Sequence, residues 1–227
     1  MQKQTKKVID TINSNNIIGS EITVKAQIKE DTFVVKNKDI MGNLIQSWLE
    51  FFLDKNNISW TDKGTQTYPD FILDDDEYLE VKCFLDGASP AFDIANFKTL
   101  IDSMLIDPKR LDSDYLIFAY SFGSEIKLSN MYCKKIWEMT SDQKTGKYKG
   151  FITSQVKKST IVNLRPYNFV TKPDEAYNSR IFFVRKLRDR IKQHSNQLIK
   201  NDTAYRDENE WFDLVQEKYL STVGHEL

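Results

Sequence analysis

Three residues in the first half of the chain, Asp70, Glu80 and Lys82, have the types and spacing for chemistry on a phosphate ester. They lie in YPDFILDDDEYLEVKCF, residues 68–84, which also holds Asp74, Asp75, Asp76 and Glu77. Glu80 and Lys82 are two apart, so in a strand their side chains leave the same face. If DDDE is a turn, the returning strand brings Glu80 back towards the level of Asp70, and the three groups converge. Two carboxylates offer the hard oxygen ligands that suit Mg²⁺, an ion that keeps waters and accepts phosphate oxygens. The metal lowers the pKa of a bound water and neutralises charge developing on the phosphoryl group. A lysine beside them can orient that water, help deprotonate it, or hold a phosphate oxygen. Residues 74–77 are expected to be solvated and to serve only the turn. The competing reading makes the whole stretch a surface hairpin.

The flanking sequence has to position these groups. Pro69, with fixed φ and no N–H, suits the start of a strand. In EYLEVKCFL, Tyr78, Glu80, Lys82 and Phe84 alternate with Leu79, Val81, Cys83 and Leu85, as a strand requires. Residues 38–58 set Ile40, Leu44, Ile45, Trp48, Leu49, Phe52 and Leu53 at helical spacing, with Asn56-Asn57 as the stop. A strand and a turn at Gly64 follow. Residues 92–105 (FDIANFKTLIDSML) read as a helix, and DYLIFAYSF, residues 114–122, as a covered central strand. EIKLSNMYCKKIWEMT reads as a strand into a helix, STIVNLRPYNF as a strand, and residues 179–200 as one long amphipathic helix. The predicted class is α/β, a central mixed sheet flanked by helices. Sparse Pro and Gly, and no visible linker, predict a single domain over residues 1–227.

Composition narrows the chemistry. Apolar residues are 40% and charged residues 29% of the 227, as in an ordinary globular protein. No apolar run approaches the ~20 residues of a membrane span. The opening MQKQTKKVIDTINSNN lacks the apolar core of a signal peptide, so a cytoplasmic protein without membrane attachment is expected. Cys83 and Cys133 lie far apart without metal-ligand spacing and read as reduced, buried thiols. His194 and His225 leave little room for a zinc site or a histidine-centred triad. The net charge of −1 announces no polyanion partner, but residues 176–200 carry seven basic residues against Asp189 alone. That segment is either a local positive surface for a polyanion or a solvated helix face.

YPDF…YLEVK resembles the PD-(D/E)XK nuclease motif, and the order helix, hairpin, helix, strand, helix is similar to the core of type II restriction endonucleases over residues 39–137. DIMGNLIQSWL, TQTYPDF, SPAFDIANF, DYLIFAYSF, KKIWEM, QVKK and NLRP further resemble a type II subgroup that cuts GGNNCC-type sites. The resemblance implies Asp70 and Glu80 as ligands of Mg²⁺ (with Mn²⁺ as a substitute), Lys82 as catalytic lysine, and the Val81 carbonyl as a further ligand. Members often add an acid from the preceding helix, for which Asp39 is preferred here over Glu50. It also implies double-stranded DNA as substrate, a homodimer matching a palindromic site, and a companion DNA methyltransferase. Residues 150–227 would supply DNA-binding and dimer elements.

Candidates for DNA contact are Gln66, just before the hairpin; Ser89 and Asn96, for base edges; Lys157 and Lys158, in a basic turn; and Arg165, for a phosphate or a guanine edge. Against these stand an ordinary helix cap served by Ser89 or Asp93 and an unremarkable surface loop. Trp137 and the aromatics of IFFV have core spacing. Two rival functions remain open: another nuclease on this core, such as a junction resolvase or repair nickase, and a non-catalytic DNA-binding module.

Overall fold

The computed structural model describes residues 1–35, 37–64 and 67–227, Lys38 by its backbone alone. The helices are α1 (Lys3–Ser14), α2 (Met41–Lys55), α3 (Phe97–Ile106), α4 (Arg180–Gln193), α5 (Ser195–Leu198) and α6 (Glu208–Val223). The strands of the first half are β1 (Glu21–Ile22), β2 (Lys25–Ile28), β3 (Asp31–Val34), β4 (Trp60–Thr61), β5 (Phe71–Leu73) and β6 (Glu77–Leu85). Then come β7 (Ala95–Asn96), β8 (Asp114–Phe122), β9 (Ile126–Lys134), β10 (Ser154–Lys157) and β11 (Thr160–Leu164). Two compact units emerge, one of Met1–Ser89 with Asp114–Lys134, the other of Pro90–Ser113 with Lys135–Leu227. The chain changes unit three times, so no single boundary shows as a linker.

The first unit is built on a six-stranded sheet in the order β1-β9-β8-β6-β5-β4. β6 and β8 run parallel and the other neighbours antiparallel. α1 and α2 cover one face. Val8 and Ile12 of α1 and Met41, Ile45, Leu49, Phe52 and Leu53 of α2 meet Leu79 and Val81 of β6 and Leu116 and Phe118 of β8. α2 follows the apolar spacing of its sequence, and β8 is buried over its first seven residues, as a covered strand should be. Glu80 and Lys82, alternating with Leu79 and Val81, therefore leave β6 on the face away from α1 and α2. Short exposed strands at residues 21–34 carry too little periodicity to be read from sequence.

The acidic run owes its composition to its turn. Asp75 and Asp76 both have φ 62°, a left-handed conformation that aspartate tolerates and β-branched residues do not. Glu77 departs from the expectation that residues 74–77 are only solvated. Its carboxylate accepts from the backbone N–H groups of Lys3 (2.9 Å), Gln4 (2.8 Å) and Thr5 (3.2 Å). These are donors that the first turn of α1 cannot satisfy by itself.

The second unit carries the antiparallel sheet β10-β11-β7, with α3, α4, α5 and α6. Three expectations are corrected here. Residues 92–96 are extended rather than helical, because Phe92 and Ile94 are buried with strand alternation and Ile94 N–H donates to the Leu164 carbonyl at 3.0 Å. α3 starts only at Phe97, capped by Asn96 Oδ1, which accepts from Thr99 N–H at 3.1 Å; neither Ser89 nor Asp93 is the cap. After β9 a single 3-10 turn at Ile136–Met139 replaces the expected helix. The helix predicted over 179–200 stops at His194 and resumes as the short α5.

Several basic residues of α4 have partners inside this unit. Arg180 pairs with Asp112 at 2.5 Å and lies over the rings of Trp137 and Tyr219. Lys186 pairs with Asp142 at 2.6 Å, and Lys192 with Glu208 at 3.4 Å. Arg190 is wholly buried, stacked 4.4 Å over Tyr148 and donating to Ser154 Oγ at 2.7 Å. These charges are bound up in holding the unit together.

Candidate active site

β5 and β6 pair Phe71 with Leu79, Ile72 with Tyr78 and Leu73 with Glu77. Continued by one residue, that register sets Asp70 opposite Glu80. The ladder ends there and side chains replace it. Asp70 N–H donates to Glu80 Oε2 at 3.2 Å, and Val81 N–H donates to Asp70 Oδ2 at 2.7 Å. Lys82 Nζ donates to Glu80 Oε1 at 2.7 Å. The hairpin thus brings together all three residues singled out by spacing. Glu80 is 6% exposed. The Tyr68–Pro69 peptide bond at the entry is cis.

Burial and like charge together perturb the site. Burial first, and then the neighbouring Glu80 carboxylate, raise the Asp70 pKa to about 6; Glu50 adds to the rise, while Lys82 and the Val81 N–H oppose it. Burial works to lower the Lys82 pKa, but Glu80 and Asp70 outweigh it and hold the ammonium above its ordinary value. Two carboxylates therefore share one cation in a water-poor setting. Cys83, next along β6, is pushed by burial up to about 11, far from the thiolate a nucleophile needs.

Asp70 opens on a cleft of about 390 Å³. Asn43, Gln46, Ser47 and Glu50 of α2 line it, with Asp62, Gly64, Thr67 and Pro69. Positions 43, 46, 47 and 50 form one helical stripe opposite the apolar face; the signal was present in the sequence but not singled out there. The two candidates for an accessory acid are placed differently. Glu50 lines the cleft and acts on Asp70, whereas Asp39 is exposed in the turn before α2 and bears on Tyr120. A separate cavity of about 280 Å³ is mainly apolar, lined by Ile17, Ile22, Leu44, Ile45, Trp48 and Leu128 with Ser20, Glu21 and Thr23.

Among the described residues no group of three or more His, Cys, Asp and Glu side chains is arranged to hold a metal ion. What the hairpin offers is an all-oxygen set. Besides the Asp70 and Glu80 carboxylates there is the Val81 carbonyl, which leaves the strand on the same edge as the N–H that meets Asp70. Hard oxygens in this number suit Mg²⁺, which completes its shell with water and substrate. A divalent cation would also relieve the crowding that raises the Asp70 pKa.

The remaining candidates lie in other elements. Ser89 is exposed in the loop after β6, and Asn96 caps α3. Lys157 and Lys158 are exposed at the β10–β11 turn. Arg165 pairs with Asp93 at 2.7 Å and reaches the Ala91 carbonyl at 3.4 Å. Gln66 lies outside the described residues.

Residues 2–227 match the NgoBV restriction endonuclease family. The chain belongs to that family. Among its relatives, the type II restriction enzyme NlaIV of Neisseria lactamica is 35% identical over 162 residues, 68% of this chain and 65% of NlaIV. The matched stretch thus spans just under two thirds of that relative. The type II restriction enzyme NgoBV of Neisseria gonorrhoeae is 31% identical over 138 residues, 57% of this chain and 77% of NgoBV. The solved NlaIV restriction endonuclease superposes on all of this chain and 92% of its own, with TM-score 0.86 at 26% identity. Restriction endonucleases of this type are site-specific deoxyribonucleases, so the NgoBV family is a family of enzymes. The expected α/β class and the resemblance to type II restriction endonucleases are both borne out.

Proposed function

We propose that this member of the NgoBV family is a Mg²⁺-dependent endonuclease that cuts double-stranded DNA at a specific sequence, of the GGNNCC type suggested by its short motifs. The observation that carries this reading is the convergence of Asp70, Glu80 and Lys82 where the β5–β6 ladder gives way to side chains. Asp70, Glu80 and the Val81 carbonyl would hold Mg²⁺, or Mn²⁺ in its place, which supplies a water of lowered pKa and a Lewis acid for the phosphate.

The chain's own groups do the rest. Val81 N–H fixes the Asp70 carboxylate, and Glu80 holds the Lys82 ammonium by its second oxygen. Lys82 donates to a non-bridging phosphate oxygen and stabilises the charge that grows there as water attacks phosphorus and the 3′ oxygen leaves. Hydrolysis is direct, with inversion and no covalent enzyme intermediate. Glu50, from the α2 wall of the cleft, is the accessory acid. The second unit supplies DNA and dimer contacts, and a homodimer places one such site on each strand of a palindrome. A methyltransferase of matching specificity protects the host DNA. A cytoplasmic place suits this role, and no helix among the described residues is long and apolar enough to cross a membrane.

Plasmid cleavage with and without Mg²⁺, for wild type, Asp70→Ala and Lys82→Ala, tests the reading. Wild type should give discrete bands with Mg²⁺ only, and both variants should be inactive. Equal cutting by all three, or no cutting of any DNA by the wild type, would overturn it.

A further inference from the structure

We infer that the outer face of the β10-β11-β7 sheet reads base edges, through a transverse row of three amide side chains, Gln155, Asn163 and Asn96. The inference rests on the reading of the protein as a sequence-specific DNA endonuclease and adds where part of the specificity resides.

The row follows from the register. Asn163 on β11 lies directly opposite Gln155 on β10 and directly opposite Asn96 on β7. Residues opposite one another in a sheet project from the same face, so three amides from three strands stand side by side. A β-bulge decides which face that is. The register shifts between Gln155 and Val156, so that Asn163 pairs with Gln155 but Ile161 with Val156, leaving Val162 as the extra residue. Without the bulge, Ile161 and Leu164, an odd number apart, could not both point inward. With it, both are buried, at 3% and 0% exposure, and Asn163 is turned to the other side.

The amides retain hydrogen-bonding capacity of both signs. Asn163 Nδ2 donates to Gln155 Oε1 at 3.3 Å, which aligns the two side chains and leaves the Gln155 amide as donor and the Asn163 oxygen as acceptor. Asn96 Oδ1 is committed to Thr99 as the cap of α3, so its contribution outward is the NH₂ group. Neutral groups with adjacent donors and acceptors match base edges, where asparagine and glutamine pair bidentately with adenine, and they match phosphates poorly. Cations for the phosphates lie at either end of the same hairpin. Lys157 and Lys158 are exposed at the turn, and Arg165, which follows Asn163 by two residues, would have to leave its ion pair with Asp93 to reach a phosphate. Neutral readers flanked by positive charge are complementary to a DNA groove and its two rims, and β-ribbons enter grooves in this manner. The plain alternative is a polar surface whose amides serve solubility only.

The test compares Gln155→Ala, Asn163→Ala, their double variant and Asn96→Asp, which keeps the capping oxygen but removes the donor. Cleavage is measured on short duplexes carrying the mapped site and on a set with one base pair changed at a time. Non-specific duplex binding and melting temperature are followed alongside. The expected result is a loss of discrimination at one or two base-pair positions of about 10- to 100-fold, with non-specific affinity and melting temperature unchanged. Unaltered discrimination in all the variants would overturn the inference while leaving the nuclease reading intact. So would an equal loss of binding to every duplex, which would mark backbone contacts only. A wild type that cuts no duplex would overturn both.

Discussion

The β5–β6 hairpin and α4 are both dense in charge, and they treat it in opposite ways. Along α4, Arg180, Lys186 and Lys192 each meet a carboxylate, while Arg190, buried without one, rests on an aromatic ring and a hydroxyl and is pushed by desolvation down to about 10. In the hairpin, Asp70 and Glu80 share Lys82, and burial, with the Glu80 charge after it, raises the Asp70 carboxyl to about 6. Charge density in the sequence does not separate these cases. The sign of the neighbours does: the hairpin keeps two like charges together in a buried place, which costs stability that a bound cation would restore.

Breaking the hairpin should have the largest effect. Lys82→Ala and Asp70→Asn should each lower the cleavage rate by roughly 1,000-fold, measured on a single-site plasmid. Their stabilities should then diverge. Lys82→Ala leaves two carboxylates without a cation and should cost about 3 kcal/mol, whereas Asp70→Asn should melt no lower than wild type when metal is chelated. The sign follows from the raised pKa. The folded state holds the Asp70 proton up to about pH 6, the unfolded chain only to its ordinary value of 3.8. In chelator, therefore, wild-type stability should fall as pH rises through that window, and Asp70→Asn should lack that decline. Mg²⁺ should raise the wild-type melting temperature and leave that of Asp70→Asn unmoved.

On the α4 side, Arg180→Ala should cost about 2 kcal/mol in denaturant titration, from a lost ion pair and two ring contacts, with cleavage per folded molecule unchanged. A rate collapse there without unfolding would erase the contrast. A finer comparison sets Glu50 against Asp39: Glu50→Gln should slow cleavage by about 10-fold and Asp39→Asn should leave it unaltered. Smallest of all, Lys157→Ala and Lys158→Ala should each reduce the salt slope of DNA binding by about one, seen by titrating affinity against NaCl.

What could be read in advance divides along physical lines. α2, β8 and the β5–β6 hairpin were legible because each is specified locally, by apolar period or by a Pro start and an acidic turn. The meeting of Asp70, Glu80 and Lys82 followed from that local pattern alone. Residues 92–96 were misread because a two-residue alternation merges into the helical spacing of α3, and only the partner β11 resolves it. Asp39 was preferred to Glu50 because it begins the helix, although the stripe Asn43, Gln46, Ser47, Glu50 is the one that faces the cleft. The partners of α4, at Asp112, Asp142 and Glu208, lie too far along the chain for any local pattern to announce them.

The bond between Glu77 and α1 bears on how mutants of this protein should be interpreted. One carboxylate at the tip of the β5–β6 hairpin anchors the amides of Lys3, Gln4 and Thr5. A genetic screen scoring loss of cleavage would therefore collect lesions in α1 and at Glu77 beside those at Asp70 and Glu80. Only a folding measurement would tell the lost anchor from the lost chemistry.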